Sequence, residues 1–152
     1  QGEIVSFDTD MVGPYGYCAD ISRTFVCGNI FTDIQKDLYS MAVNQINYNS
    51  SLIKDGTTFE EFIEKSWKLP EEYYGNRYSV MVHGIGLCDE WPSIRYPTDG
   101  GDKGGIFQKN MTITVESYIG KVGGKEGVKL EQQYLVGQNG LELMSHHPLE
   151  DI

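Results

Sequence analysis

Two sets of carboxylates stand inside runs of strand-forming residues, each set straddling a glycine-containing turn. No other feature limits the possible folds of this chain as tightly. Ile4, Val5, Phe7, Met11 and Val12 mark a strand over 4–12, Gly13-Pro14-Tyr15-Gly16 a turn, and an aromatic and β-branched run a second strand over 17–27. Strand side chains alternate faces, so Asp8 and Asp10 share one side. A hairpin centred near Pro14–Tyr15 then brings Asp20 roughly opposite Asp10. The second set repeats the device. Glu116 ends the run Met111-Thr112-Ile113-Thr114-Val115, Glu131 ends Val128-Lys129-Leu130, and a hairpin centred near Gly123–Gly124 sets the two glutamates about opposite each other. Carboxylates in strand runs are costly to bury without a partner, and like charges facing across strands repel. A bound cation removes both objections. Turns also favour aspartate, so the first hairpin alone is met by acids flanking a Gly-Pro turn; the repetition is what argues for metal.

His83 closes a short apolar strand, Ser79 to His83, and is followed by Gly84-Ile85-Gly86. By itself it reads more readily as a satisfied core imidazole. Beside the acids it completes an oxygen-rich set with one nitrogen donor: Asp8, Asp10, Asp20, His83, Glu116 and Glu131. Such a set suits two divalent transition-metal ions (Fe, Mn, Co or Zn) bridged by carboxylates.

The remaining pattern is mixed. A helix is expected over 32–53, capped by Thr32, with Ile34, Leu38, Met41, Ala42, Ile46 and Ile53 at helical spacing. A second begins at Thr57 or Thr58, each followed three residues on by a glutamate, and stops before Pro70. A Gly-, Pro- and Asp-rich stretch from 84 to 105 reads as a working loop; strands follow over 111–119, 127–136 and 141–145. The formal charge is −10, with 22 acidic against 12 basic residues, which argues against a nucleic-acid partner. Cys18, Cys27 and Cys88 have no metal-like spacing and suggest reduced thiols in a cytoplasmic compartment. No apolar run approaches the length of a membrane span, and no signal-peptide pattern is present. The opening Gln1-Gly2-Glu3 passes at once into apolar alternation, as expected of a chain cut from something longer.

Taken in order, Asp-Ile-Ser-Arg-Thr-Phe after the Asp8/Asp10 pair, His-Gly-Ile-Gly-Leu, Thr-Ile-Thr-Val-Glu and Val-Lys-Leu-Glu resemble the creatinase/aminopeptidase, or pita-bread, family of metalloenzymes. The resemblance runs over essentially the whole chain. It implies an α+β pita-bread fold with an antiparallel curved sheet and covering helices, residues 1–152 being the C-terminal portion of the catalytic domain. It also implies that Asp20 and Glu131 bridge two metal ions, that His83 and Glu116 bind one of them, and that the protein is a homodimer acting on a small molecule or short peptide.

The sequence departs from the family's peptidases in three places. Their first aspartate usually lies eleven residues before the second, whereas Asp20 lies twelve after Asp8 and ten after Asp10. Their second histidine, after His-Gly-Ile-Gly, is replaced by Leu87-Cys88-Asp89-Glu90-Trp91-Pro92, and their Glu-Pro by Glu116-Ser117. The Asp-x-Asp pair and the Cys-Asp-Glu-Trp-Pro segment are similar to the branch of the family that cleaves dimethylsulfoniopropionate. That likeness implies Asp89 as catalytic base and Tyr78 as a second active-site residue. Without it, Asp89 reads equally as a loop-capping aspartate. Three functions follow: a C–S lyase, a Xaa-Pro peptidase with Glu116 as proton shuttle, and a metal-free binding module. The missing histidine favours the first, and the retained acids count against the third. His146 and His147 read as surface residues.

Overall fold

The structure, a computed structural model, describes residues 1–149. Strands β1 (Ile4–Val12) and β2 (Cys18–Val26) form an antiparallel hairpin closed by a short 3₁₀ turn at Pro14–Gly16. Helices α1 (Asp33–Ser51), α2 (Phe59–Lys65) and α3 (Glu71–Tyr74) follow. The chain then builds a second antiparallel sheet from β3 (Val80–Gly84), β4 (Ser93–Arg95), β5 (Thr112–Gly120), β6 (Gly127–Val136) and β7 (Leu141–Leu143), in the order β4-β3-β5-β6-β7.

Helix α1 begins with a complete capping box: Thr32 accepts from the Gln35 backbone N–H, and the Gln35 side chain accepts from that of Thr32. Leu38, Ala42 and Ile46 lie on its buried face and join Ile113, Val115, Ile119, Val128 and Leu130 in the core between helix and sheet. The register differs from expectation at Ile34, which is exposed; Gln35 takes the buried position. Its amide donates to the Gly2 carbonyl and the Glu126 carboxylate, and on the same face Gln45 donates to the Tyr96 hydroxyl and accepts from Ser117 Oγ. A polar side chain is tolerated inside when its donors and acceptors are met.

Three boundaries also move. α2 ends at Lys65 rather than running up to Pro70, and Glu71–Tyr74 adds a separate turn of helix. Within the stretch 84–105, Ser93–Arg95 forms a strand on β3. The last strand ends at Leu143. Among the described residues no helix is long and apolar enough to cross a membrane.

Candidate metal centre

Hairpin geometry carries the acids to their places. Asp10 pairs with Asp20 and Asp8 with Ser22 across β1 and β2, and Glu116 pairs with Glu131 across β5 and β6. His83 pairs with Thr114 across β3 and β5, so its ring shares a sheet face with Glu116, Glu131 and, two residues before Glu131, Lys129. β2 lies on that face through its side chains. The Asp20 N–H donates to Gln133 Oε1, Ser22 Oγ donates to Glu131 Oε2 at 2.8 Å, and Thr24 Oγ1 both accepts from the Lys129 N–H and donates to its carbonyl.

His83 Nε2 is the focus of this arrangement. It lies 3.1 Å from Glu131 Oε1, 3.7 Å from Asp20 Oδ2 and 3.8 Å from Glu116 Oε1. Ligands held about 2.1 Å from one ion and about 90–110° apart are separated by about 3.0–3.4 Å, so the distances from Nε2 come near those of a coordination shell, with Asp20, His83 and Glu131 as its mutually close members and Glu116 beside them. The opposite ring nitrogen, Nδ1, is 3.0 Å from the Gly84 carbonyl. A proton donated there leaves Nε2 as the electron-pair donor, the orientation by which proteins present a metal-binding imidazole. Asp20 Oδ1 and Glu116 Oε1 are buried with no hydrogen-bond partner, a cost that a cation would remove. The donor set therefore fits a divalent metal.

A second group adjoins the first. Carboxylate oxygens of Asp10, Asp20 and Asp89 lie within 4.8 Å of one another, as do donor atoms of Asp20, His83 and Glu131. Asp20 belongs to both. Asp8 stands further out: half exposed, it accepts from Ser22 Oγ at 2.5 Å, and one of its oxygens lies 3.9 Å from Lys129 Nζ. Asp89 lies between the loop and the acids. Its Oδ1 accepts from the Glu90 N–H, as a loop cap does, and it also faces Asp10 and Asp20 and approaches His83 Nδ1 to 4.0 Å. Tyr78 borders the site, its ring 4.8 Å from Lys129 Nζ. His146 and His147 are exposed, as expected.

The electrostatics are those of acids crowded out of water. Burial raises the Asp20 carboxyl, and the charges of Glu131 and Asp10 raise it further. Burial also lifts Glu116 to about 7, against the pull of Lys129. For His83 burial acts downward, but the hydrogen bond with Glu131 and the charge of Glu116 outweigh it and hold the ring at about 9. Burial likewise opposes ionisation of Glu131, yet His83 and Lys129 keep its carboxyl well below the usual range. Tyr78 is pushed up to about 12 by burial and by the charges of Glu116 and Glu90.

Lys129 is the site residue that ligand-seeking leaves out. Its buried ammonium donates to Glu116 Oε2 and lies 3.4 Å from Glu131 Oε2. The signal was available, since a lysine two residues before Glu131 on one strand must share its face. Arg23, also buried, donates to the Glu131 and Ser22 carbonyls, to Gln132 Oε1 and to the carbonyls of His147 and Pro148, fastening β2, β6 and the chain beyond β7 together.

A mixed α/β fragment with antiparallel sheets, holding one imidazole among buried carboxylates on a sheet face, defines a metalloenzyme of the pita-bread fold. The chain belongs to metallopeptidase family M24, whose sequence profile matches residues 1–138. It is 38% identical over 154 residues to dimethylsulfoniopropionate lyase DddP from Roseovarius nubinhibens, covering 99% of this chain and 34% of that protein. It is 35% identical over 158 residues to the lyase of the same name from Roseobacter denitrificans, again covering 99% and 34%. Among solved structures it superposes on an X-Pro aminopeptidase from Thermotoga maritima with a TM-score of 0.76 at 26% identity, covering 99% of this chain and 41% of that one. For a prolidase from Pyrococcus horikoshii the TM-score is 0.78 at 25% identity, covering 100% and 42%. The chain thus spans about a third of the length of these lyases. The family consists of enzymes, and it implies a divalent-metal centre here.

Proposed function

We propose that this chain carries the metal centre of a C–S lyase that converts dimethylsulfoniopropionate to dimethyl sulfide and acrylate. The observation that carries the reading is Asp89: a carboxylate in the segment after His83, turned toward Asp10 and Asp20, where the family's peptidases place a histidine. The two lyases at 35% and 38% identity support the same choice.

Asp20, His83, Glu116 and Glu131 would hold one divalent ion, with Asp10 and Asp8 on the side of a second. When bound, such ions supply a Lewis acid for the substrate carboxylate and make the adjacent C–H more acidic. Asp89 then takes a proton from the carbon next to that carboxylate. The C–H electron pair becomes the new C=C bond, the C–S bond breaks, and sulfur leaves with its electron pair as neutral dimethyl sulfide. Asp89 carries the proton and returns it to water. Tyr78, with its phenol held protonated, offers an O–H donor at the border of the site.

A peptidase reading draws on the aminopeptidase and prolidase structures. In it Glu116 would move the proton during hydrolysis of a proline peptide. Parallel assays of full-length protein for dimethyl sulfide release and for cleavage of a Xaa-Pro dipeptide separate the two. Asp89→Asn should lower dimethyl sulfide release by about 10²- to 10⁴-fold, the range general-base catalysis supplies, without lowering the melting temperature. Near-normal turnover in that variant would remove Asp89 from the chemistry. Dipeptide cleavage with no sulfide release would replace the lyase by the peptidase.

A further inference from the structure

The two oxygens of each glutamate in the centre are used differently. Glu116 Oε2 receives the Lys129 ammonium, while Oε1 is buried, unpartnered and turned toward His83 Nε2. Glu131 divides in the same way: Oε2 accepts from Ser22 Oγ and faces Lys129, and Oε1 faces His83. Lys129 is itself walled in. Asp8, Glu116 and Glu131 surround its nitrogen, and the Tyr78 ring lies over it. These contacts hold the Lys129 ammonium against the second oxygen of Glu116.

A catalytic ion needs a ligand position that the protein leaves unfilled, since substrate enters there. A carboxylate free to offer both oxygens would fill it. We propose that Lys129 is a positioning residue that restricts Glu116 to a single metal-binding oxygen and thereby keeps one ligand position available to substrate. Lys129 also places a fixed positive charge beside the ion, so the ion binds less tightly than the carboxylates alone would hold it. This rests on the reading of Glu116 and Glu131 as metal ligands and is independent of which substrate the enzyme takes.

The test is titration of metal-free, full-length protein with Co²⁺, followed by visible absorption, in wild type, Lys129→Met and Lys129→Arg. In the methionine variant the freed Glu116 oxygen and the lost charge both favour the ion. Apparent Co²⁺ affinity should rise about tenfold and the visible bands should weaken as the coordination number increases. The arginine variant, keeping charge and donors, should retain the wild-type spectrum and affinity. Metal-free Lys129→Met should melt well below wild type, because its buried glutamates lose their counter-charge, and Co²⁺ should close most of that gap. Should the methionine variant fail to fold without metal, Lys129→Gln is titrated in its place and should show the same rise in affinity. Unchanged affinity and spectrum, with melting lowered equally in the presence and absence of Co²⁺, would reduce Lys129 to a structural prop and overturn the proposal. A wild type that binds no Co²⁺ would overturn the metal centre together with it.

Discussion

Asp20, Glu116 and His83 each keep a proton, in the metal-free folded protein, at pH values where the unfolded chain releases it. For such groups the stability is complete below the ordinary values and is lost as pH rises through the folded ones, about 7 for Glu116 and about 9 for His83. Glu131 works in the opposite sense and matters only at acid pH. The metal-free protein should therefore lose melting temperature steadily between roughly pH 6 and pH 9, and saturating divalent metal should flatten that slope. Thermal melts across this range, with and without metal, check it; a metal-free protein that gains stability toward pH 9 would contradict the protonation scheme. At this scale the acids and His83 are legible in the sequence because their cost demands a shared explanation. The strand alternation also puts Lys129 on their face, but not its ammonium between the two glutamates, since side-chain reach is not fixed by register. Gln35 hides for a related reason: its neighbour Ile34 fits the apolar spacing better, and only the partners at Gly2 and Glu126 explain why the amide is inside.

The hairpins are the most readable elements, since turn position alone fixes register, and the Asp10–Asp20 and Glu116–Glu131 pairings both follow from it. β4 is not readable: three residues in a Pro-, Gly- and Asp-rich stretch become a strand only because β3 lies beside them. That pairing sets where Asp89 sits. The Gly84 N–H donates to the Pro92 carbonyl at 2.9 Å, and a side chain at Gly84 would put its Cβ 2.1 Å from the Trp91 carbonyl oxygen. The segment between them bends through Gly86 at φ 141° and Glu90 at φ 64°. Because the obstacle is backbone, Gly84→Ala has to move the segment that bears Asp89. A shift of about 1 Å near reacting groups costs about 10²-fold in rate, so turnover should fall by that order while the metal content stays near wild type. Turnover and elemental analysis on the same preparation decide the matter; a variant with normal turnover would show that the position of this segment is not critical.

The strands of the described residues form two sheets with separate hydrogen-bond ladders, β1-β2 and β4-β3-β5-β6-β7. Side chains of β2 and β6 join them, chiefly through Asp20, Ser22, Arg23 and Thr24. The proposed metal donors are divided along the same seam, Asp8, Asp10 and Asp20 on one sheet and His83, Glu116 and Glu131 on the other. With the ion removed, hydrogen exchange should quicken along β1 and β2 while the amides of β5 and β6 stay protected; equal protection in both states would show that the seam holds without metal. That division of donors would make a bound ion a cross-link in the polymer sense. The Ser22–Glu131 contact beside it already joins points 109 residues apart in the chain. A tie across so long a loop removes about as much freedom from the unfolded chain as a disulfide of that span. Unlike a disulfide, such a tie would open to a chelator and close again when the ion returns.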